Sequence, residues 1–249
     1  MTDIKKENYS IKQYLHEIIQ KPLDIFHELT SWSEEDKQKF TELVIELEKP
    51  FNKSLETTKD KGDRLENLVS FLIKKTYFFE VYRNIHTGTN EIDEVIILSE
   101  KGKQALHEFN IARSILEIDS DIALGECKNY ASALDVTYVG KFYSLLVSTD
   151  VPFGIIFTQK GLTGNENEFR DAYGLVKVLR IIEKYQNKKE MFILTFTLED
   201  YRKIAQGESF FDMIKAKKVA LGLSSEYTNF LRDYHHDNTD LIRKMIHNI

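Results

Sequence analysis

Between Gly62 and Phe196 the apolar residues switch repeatedly between helical spacing and short unbroken or alternating runs, and this order constrains the fold more than any single residue does. Leu65, Leu68, Val69, Leu72 and Ile73 form one helical stripe. Residues 77–85 follow as a strand, with Phe79, Val81 and Ile85 among its apolar positions, and His86-Thr87-Gly88-Thr89-Asn90 reads as a turn. Residues 92–98 and 122–128 read as the next strands. Between them, Lys101-Gly102-Lys103 has the composition of a turn, and Ala105, Leu106, Phe109 and Ala112 fit a short helix. Residues 135–147 carry Val136, Val139, Phe142, Tyr143 and Leu146 at helical spacing. The unbroken apolar stretch 154–158 reads as a buried strand, 167–185 as a helix and 191–196 as the last strand. This alternation favours an α/β fold, a central mixed β-sheet flanked by helices.

The two ends read as helical. Tyr9, Ile11, Tyr14, Leu15, Ile18 and Ile19 repeat at helical spacing, and Ser33 caps a second helix with Glu34, Glu35 and Asp36 in its first turn. Pro22 and Trp32 mark expected breaks, Pro50 stops the second helix, and 53–61 is the expected linker. From Phe210 the chain again looks helical and closes with Leu241, Ile242, Met245 and Ile246. The expected organisation is an N-terminal helical region over 1–55, a core over 56–207 and a C-terminal helical extension over 208–249. His235 and His236, beside Asp233 and Asp237, read as a solvated polar stretch between helices.

Hydrophobic residues at 42% and charged residues at 30% suit a globular protein. No apolar run approaches the ~20 residues that span a bilayer. The polar start, Met1-Thr2-Asp3-Ile4-Lys5-Lys6-Glu7, lacks a secretory pattern, and the single cysteine, Cys127, makes neither an internal disulfide nor a cysteine-pair zinc site. Cytoplasmic residence and no membrane partner are the expectations. The net charge of −6 argues against wholesale nucleic-acid binding and leaves room only for local basic surfaces. The candidates are Lys128 with Lys141; Lys177, Arg180, Lys184, Lys188 and Lys189; and Lys215, Lys217 and Lys218.

Chemistry points to Glu126-Cys127-Lys128. On a strand, Glu126 and Lys128 share one face and Cys127 takes the other, which makes its thiol a packing group. Asp93, at the start of the preceding apolar run, can bring a second carboxylate to the same place from a neighbouring strand. Glu91 shares the face of Asp93 and is its substitute in another register; Glu94 lies opposite. Each has a plainer reading: Asp93 as a turn residue, Glu126 and Lys128 as a surface ion pair, and a further acid, Glu66, as a first-turn helix residue. Two carboxylates at strand ends can also hold a hard divalent ion that, with an ammonium beside them, activates water.

Taken in order, Gly62-Asp63-Arg64-Leu65-Glu66-Asn67-Leu68-Val69, Ile92-Asp93-Glu94-Val95, Gly125-Glu126-Cys127-Lys128-Asn129-Tyr130 and Gly154-Ile155-Ile156-Phe157-Thr158-Gln159-Lys160-Gly161-Leu162-Thr163 resemble the restriction-endonuclease-like PD-(D/E)xK superfamily, and within it the Mrr-type restriction endonucleases. The resemblance covers roughly residues 60–200 and leaves the helical ends outside. It implies catalytic roles for Glu66, Asp93, Glu126 and Lys128. It also implies Mg²⁺, or Mn²⁺ as a substitute, held by Asp93, Glu126 and the backbone carbonyl of Cys127. The chain departs from the pattern in having Asn90-Glu91-Ile92-Asp93 where Gly-Ile-Asp is common, no proline before Asp93, and Asn129-Tyr130 after the lysine.

The function this implies is hydrolysis of DNA phosphodiester bonds in prokaryotic restriction or defence, by a homodimer that cuts both strands of a symmetric duplex. The alternatives are an inactive nucleic-acid or protein-binding module on the same fold, and a nuclease for RNA or recombination junctions. No recognition helix is readable in 1–55, so the helical ends are candidates for a protein partner.

Overall fold

The computed structural model describes residues 11–51, 56–86, 88, 91–187 and 190–231. Tyr9, most of the expected linker's first half, parts of the 86–90 turn, Lys188 and Lys189, and everything from Arg232 onward, including the histidine pair and the closing apolar residues, lie outside them.

Five strands form one mixed sheet in the order β1 (Phe79–His86), β2 (Glu91–Leu98), β3 (Ile122–Lys128), β4 (Phe153–Thr158) and β5 (Phe192–Phe196). The first three run antiparallel; β4 and β5 join β3 in parallel. A short turn joins β1 to β2 and the longer segment 99–121 joins β2 to β3, while the parallel pairs require crossovers, supplied by α5 (Val136–Ser148) and α6 (Asp171–Ile182).

The sheet has apolar cover on both faces. Leu124 and Ile156 pack with Val139, Phe142 and Leu146 of α5 and with Ala172 and Val176 of α6. On the reverse face Ala123, Cys127, Ile155 and Phe157 meet α3 (Thr58–Lys74) through Leu65, Leu68 and Leu72, and α8 (Phe210–Leu223) through Phe211 and Ile214. The same cluster contains Phe26 of α1 (Ile11–Thr30), Phe40, Val44 and Leu47 of α2 (Glu34–Glu48), and Tyr201 of α7 (Leu198–Ala205). Packing therefore runs across both boundaries expected at 55/56 and 207/208.

Three local expectations change. Helix α1 runs unbroken through Pro22, because Ile25, Phe26 and Leu29 beyond it are pinned to the core and offset the lost backbone bond. The break does fall at Trp32, whose indole N–H donates to the Lys75 carbonyl at 3.1 Å. Lys101-Gly102-Lys103 is not a turn but the first turn of α4 (Glu100–Glu108), capped by the Ser99 hydroxyl. Glycine is required there because a Cβ would sit 2.4 Å from the Phe78 carbonyl oxygen. Finally, α6 starts at Asp171, not 167, since residues 164–170 form a separate bend with Gly164 at φ +88°.

Candidate active site

Strands β2 and β3 part company at one point. Their pairing ends at Glu94 opposite Gly125; beyond it β2 continues with β1 through Ile92 and Glu91, while β3 continues with β4 through Lys128 opposite Thr158. In the resulting fork the backbone N–H of Cys127 donates to Asp93 Oδ2 at 2.9 Å, so a side chain takes the place of the next ladder acceptor. Because a strand residue's N–H and C=O face the same neighbour, the Cys127 carbonyl also faces the Asp93 side.

Asp93, Glu126 and Lys128 meet in this fork. The Lys128 ammonium lies 2.7 Å from Asp93 Oδ2 and 2.9 Å from Glu126 Oε1, so both carboxylates touch one cation. Their side chains are 16%, 21% and 23% exposed for Asp93, Glu126 and Lys128: sheltered enough to strengthen their electrostatics, open enough for solvent to reach. Burial, then the Asp93 charge, raises the pKa of Glu126 above the usual carboxylate range. Burial alone would lower that of Lys128, but the Glu126 charge and hydrogen bonds to both carboxylates outweigh it and raise it. Two carboxylates share one ammonium, which leaves uncompensated negative charge.

That charge and geometry suit a hard divalent ion. Mg²⁺ is commonly held by one or two carboxylates with waters and substrate oxygens completing its shell. Asp93, Glu126 and the Cys127 carbonyl supply such a set. No group of three or more His, Cys, Asp or Glu side chains fit for a metal occurs among the described residues. The Cys127 thiol is buried on the other face, where burial pushes its pKa well up.

Glu66 is placed differently. It projects from α3 on the reverse face of the sheet, paired with an Arg83 guanidinium that also donates to Asn67 Oδ1 at 3.0 Å. No hydrogen bond or ion pair joins Glu66 to Asp93, Glu126 or Lys128. Behind the fork, Glu94 is fully buried, with Arg83 Nε 3.7 Å from its Oε1: close enough for attraction, too far for a hydrogen bond. Gly125 makes room for it, since a Cβ there would stand 2.8 Å from the Glu94 Cβ and 3.1 Å from the Phe157 ring. No local sequence pattern marks the Glu94–Arg83–Glu66 cluster, because its members come from three elements: β2, β1 and α3. Glu91 is exposed at the rim, 4.0 Å from His86 Nε2.

Several residues of the expected basic surfaces turn inward, while Lys141, Lys184 and Lys215 are exposed. Lys217 is buried, 3.1 Å from Asp200 Oδ2 and 3.7 Å above the Tyr227 ring. Lys177 donates to the Glu168 carbonyl at 2.9 Å, Arg180 pairs with Glu190 at 3.3 Å, and Lys218 with Glu117 at 3.4 Å. Helical spacing reveals that lysines share a side of a helix, not which acid or ring lies across from them. Among the described residues no helix is long and apolar enough to cross a membrane.

Comparison of the chain with protein-family models, with curated proteins and with solved structures finds no match.

Proposed function

We propose that this chain is a metal-dependent endonuclease of the restriction-endonuclease-like PD-(D/E)xK kind, Mrr-type in its motifs, hydrolysing DNA phosphodiester bonds in prokaryotic restriction or defence. The observation that carries the reading is the meeting of Asp93, Glu126 and Lys128 at the fork between β2 and β3, with both carboxylates on one ammonium. The five-stranded mixed sheet supports it at the level of fold class.

In this reading Asp93 and Glu126 hold Mg²⁺ or Mn²⁺, with the Cys127 carbonyl beside them. The ion supplies Lewis acidity toward the phosphate and a water of lowered pKa. Lys128 is the partner of that chemistry. Held between two carboxylates, its ammonium keeps its proton and so serves as a fixed positive donor to a phosphate oxygen as negative charge grows there, not as a base. The Cys127 N–H donates to Asp93 and holds that carboxylate in place at the fork. A homodimer places one such site on each strand of a duplex.

One observation favours a second reading, an inactive binding module on this fold. Asp93 Oδ2 already accepts two hydrogen bonds, so the trio also works as a tie closing the fork. Purified protein incubated with supercoiled plasmid and with RNA, in Mg²⁺, Mn²⁺ or EDTA, separates the two. The expected result is nicking and linearisation of DNA only with metal. Intact nucleic acid in every condition would sink the nuclease reading, and cutting confined to RNA would replace its substrate.

A further inference from the structure

The segment that leaves the candidate site carries a pair of tyrosines. Tyr130 follows Lys128 by two residues, which puts their Cα atoms at most ~7 Å apart, and its ring centroid lies 5.4 Å from that of Tyr138 in the first turn of α5. Tyr130 is 42% exposed, so an aromatic side chain stands open to solvent beside the fork. The segment is fastened at both ends. Asn129 Nδ2 donates to the Lys61 carbonyl at 2.7 Å, and Leu134 bridges to Leu162, with its N–H donating to the Gly161 carbonyl at 2.9 Å. The exposed Tyr130 ring, carried by an anchored segment, is not explained by core packing; Tyr138, partly buried against the α5 side of the core, backs it. Tyr130 is also within electrostatic reach of Lys128 and Glu126.

We propose that Tyr130 and Tyr138 form a stacking platform for unpaired bases next to the Asp93–Glu126–Lys128 site, so that the favoured substrate is single-stranded DNA or a duplex opened beside the scissile phosphate. The inference rests on the nuclease reading and narrows its substrate. An intact duplex buries its base faces within the stack and offers the protein mainly phosphates, which are bound through lysine and arginine. This chain has net charge −6, and among the described residues Lys177, Arg180, Lys217 and Lys218 turn toward acids, carbonyls and rings, which leaves fewer free cations for a long duplex contact. An exposed ring, by contrast, stacks on any base whose face is free, and stacking tolerates sequence. One ammonium for the phosphate and a ring pair for the adjoining base make a compact unit.

The test uses the full chain in EDTA, where nothing is cut, and 2-aminopurine oligonucleotides as a single strand, as the same strand in a duplex, and as a forked duplex with an unpaired tail. The single strand and the fork are expected to bind at least about tenfold more tightly than the duplex and to show quenched fluorescence. Tyr130→Ala removes most of that preference, a loss of roughly 5- to 150-fold in affinity for unpaired DNA; Tyr130→Phe retains it and Tyr138→Ala weakens it. Duplex bound as tightly as single strand, or affinity and quenching untouched by Tyr130→Ala, overturns the inference. Cleavage of the same three substrates in Mg²⁺ keeps the two claims apart. Metal-dependent cutting of intact duplex that ignores Tyr130 removes the platform and leaves the nuclease. Stacking without cutting in any metal removes the nuclease, and with it the platform's role in placing a substrate.

Discussion

Replacing Lys128 by alanine is expected to lower metal-dependent DNA cleavage by at least ~10²- to 10³-fold, the size of losing one preorganised donor to developing negative charge. The same change should leave the protein folded but altered in a telling way. The ammonium is the common cation of Asp93 and Glu126, so its removal leaves two half-buried carboxylates repelling each other at the fork. In EDTA the melting temperature should therefore fall by several degrees, given ~2–4 °C per kcal/mol for a chain of this size. Added Mg²⁺ or Mn²⁺ takes over the lost positive charge and restores the melting temperature, because a ligand of the folded state stabilises it by mass action. Lys128→Arg restores the charge without restoring full cleavage, since a planar guanidinium does not place its donors as a compact ammonium does. Initial rates on plasmid, with calorimetric melting in EDTA and in metal, read all of this. A variant that cuts at the parent rate, or that melts identically with and without metal, contradicts the account of the fork.

The second large effect concerns Glu94 and pH. Burial, opposed by the Arg83 charge and reinforced by those of Glu66 and Asp93, pushes its pKa from 4.5 up to about 8. Between those values the folded protein holds a proton that the unfolded chain has released. The stabilising contribution is thus fully present below pH ~4.5 and is lost as pH rises through ~8, an effect of roughly 2–5 kcal/mol. Glu126, whose pKa burial also raises, adds to the same slope. The comparison that isolates Glu94 is Glu94→Gln, which keeps the shape and abolishes the charge. Its stability should match the parent near pH 5 and exceed it at pH 8 to 9, where the parent carries an ionised, unbonded carboxylate with Arg83 still 3.7 Å away. Urea unfolding at both pH values reads the difference. Equal stability of the two proteins at pH 8.5 would show that Glu94 is ionised at no cost, contrary to its burial.

Much of the sheet was legible in the sequence because strand alternation is a strong signal where both faces are covered. It separated Glu126 and Lys128 from Cys127 and put Glu94 opposite Asp93, and the geometry has both arrangements. Other features depend on what lies across space. The Asp93 bond to the Cys127 N–H exists because two strands diverge, and no local pattern marks a divergence. Pro22 and Gly102 carry local signals for a break and a turn, yet tertiary packing of Phe26 and the approach of the Phe78 carbonyl decide otherwise. Glu66 sits on the helix expected of it, but its partner is Arg83, a residue 17 positions away on an adjacent strand, and helical periodicity contains no information about that strand. The lysines of α6 and α8 read as surface charge for the same reason: Glu168, Asp200 and Tyr227 are remote in sequence or direction until the chain folds.

Calorimetric titration of Mn²⁺, and then Mg²⁺, into the full chain and into Asp93→Asn and Glu126→Gln tests most directly whether Asp93 and Glu126 together hold a divalent ion. Saturable binding is expected in the parent, weakened at least about tenfold in each variant while both still melt cooperatively. Ion binding that is absent from the parent, or that survives both substitutions unchanged, contradicts that assignment.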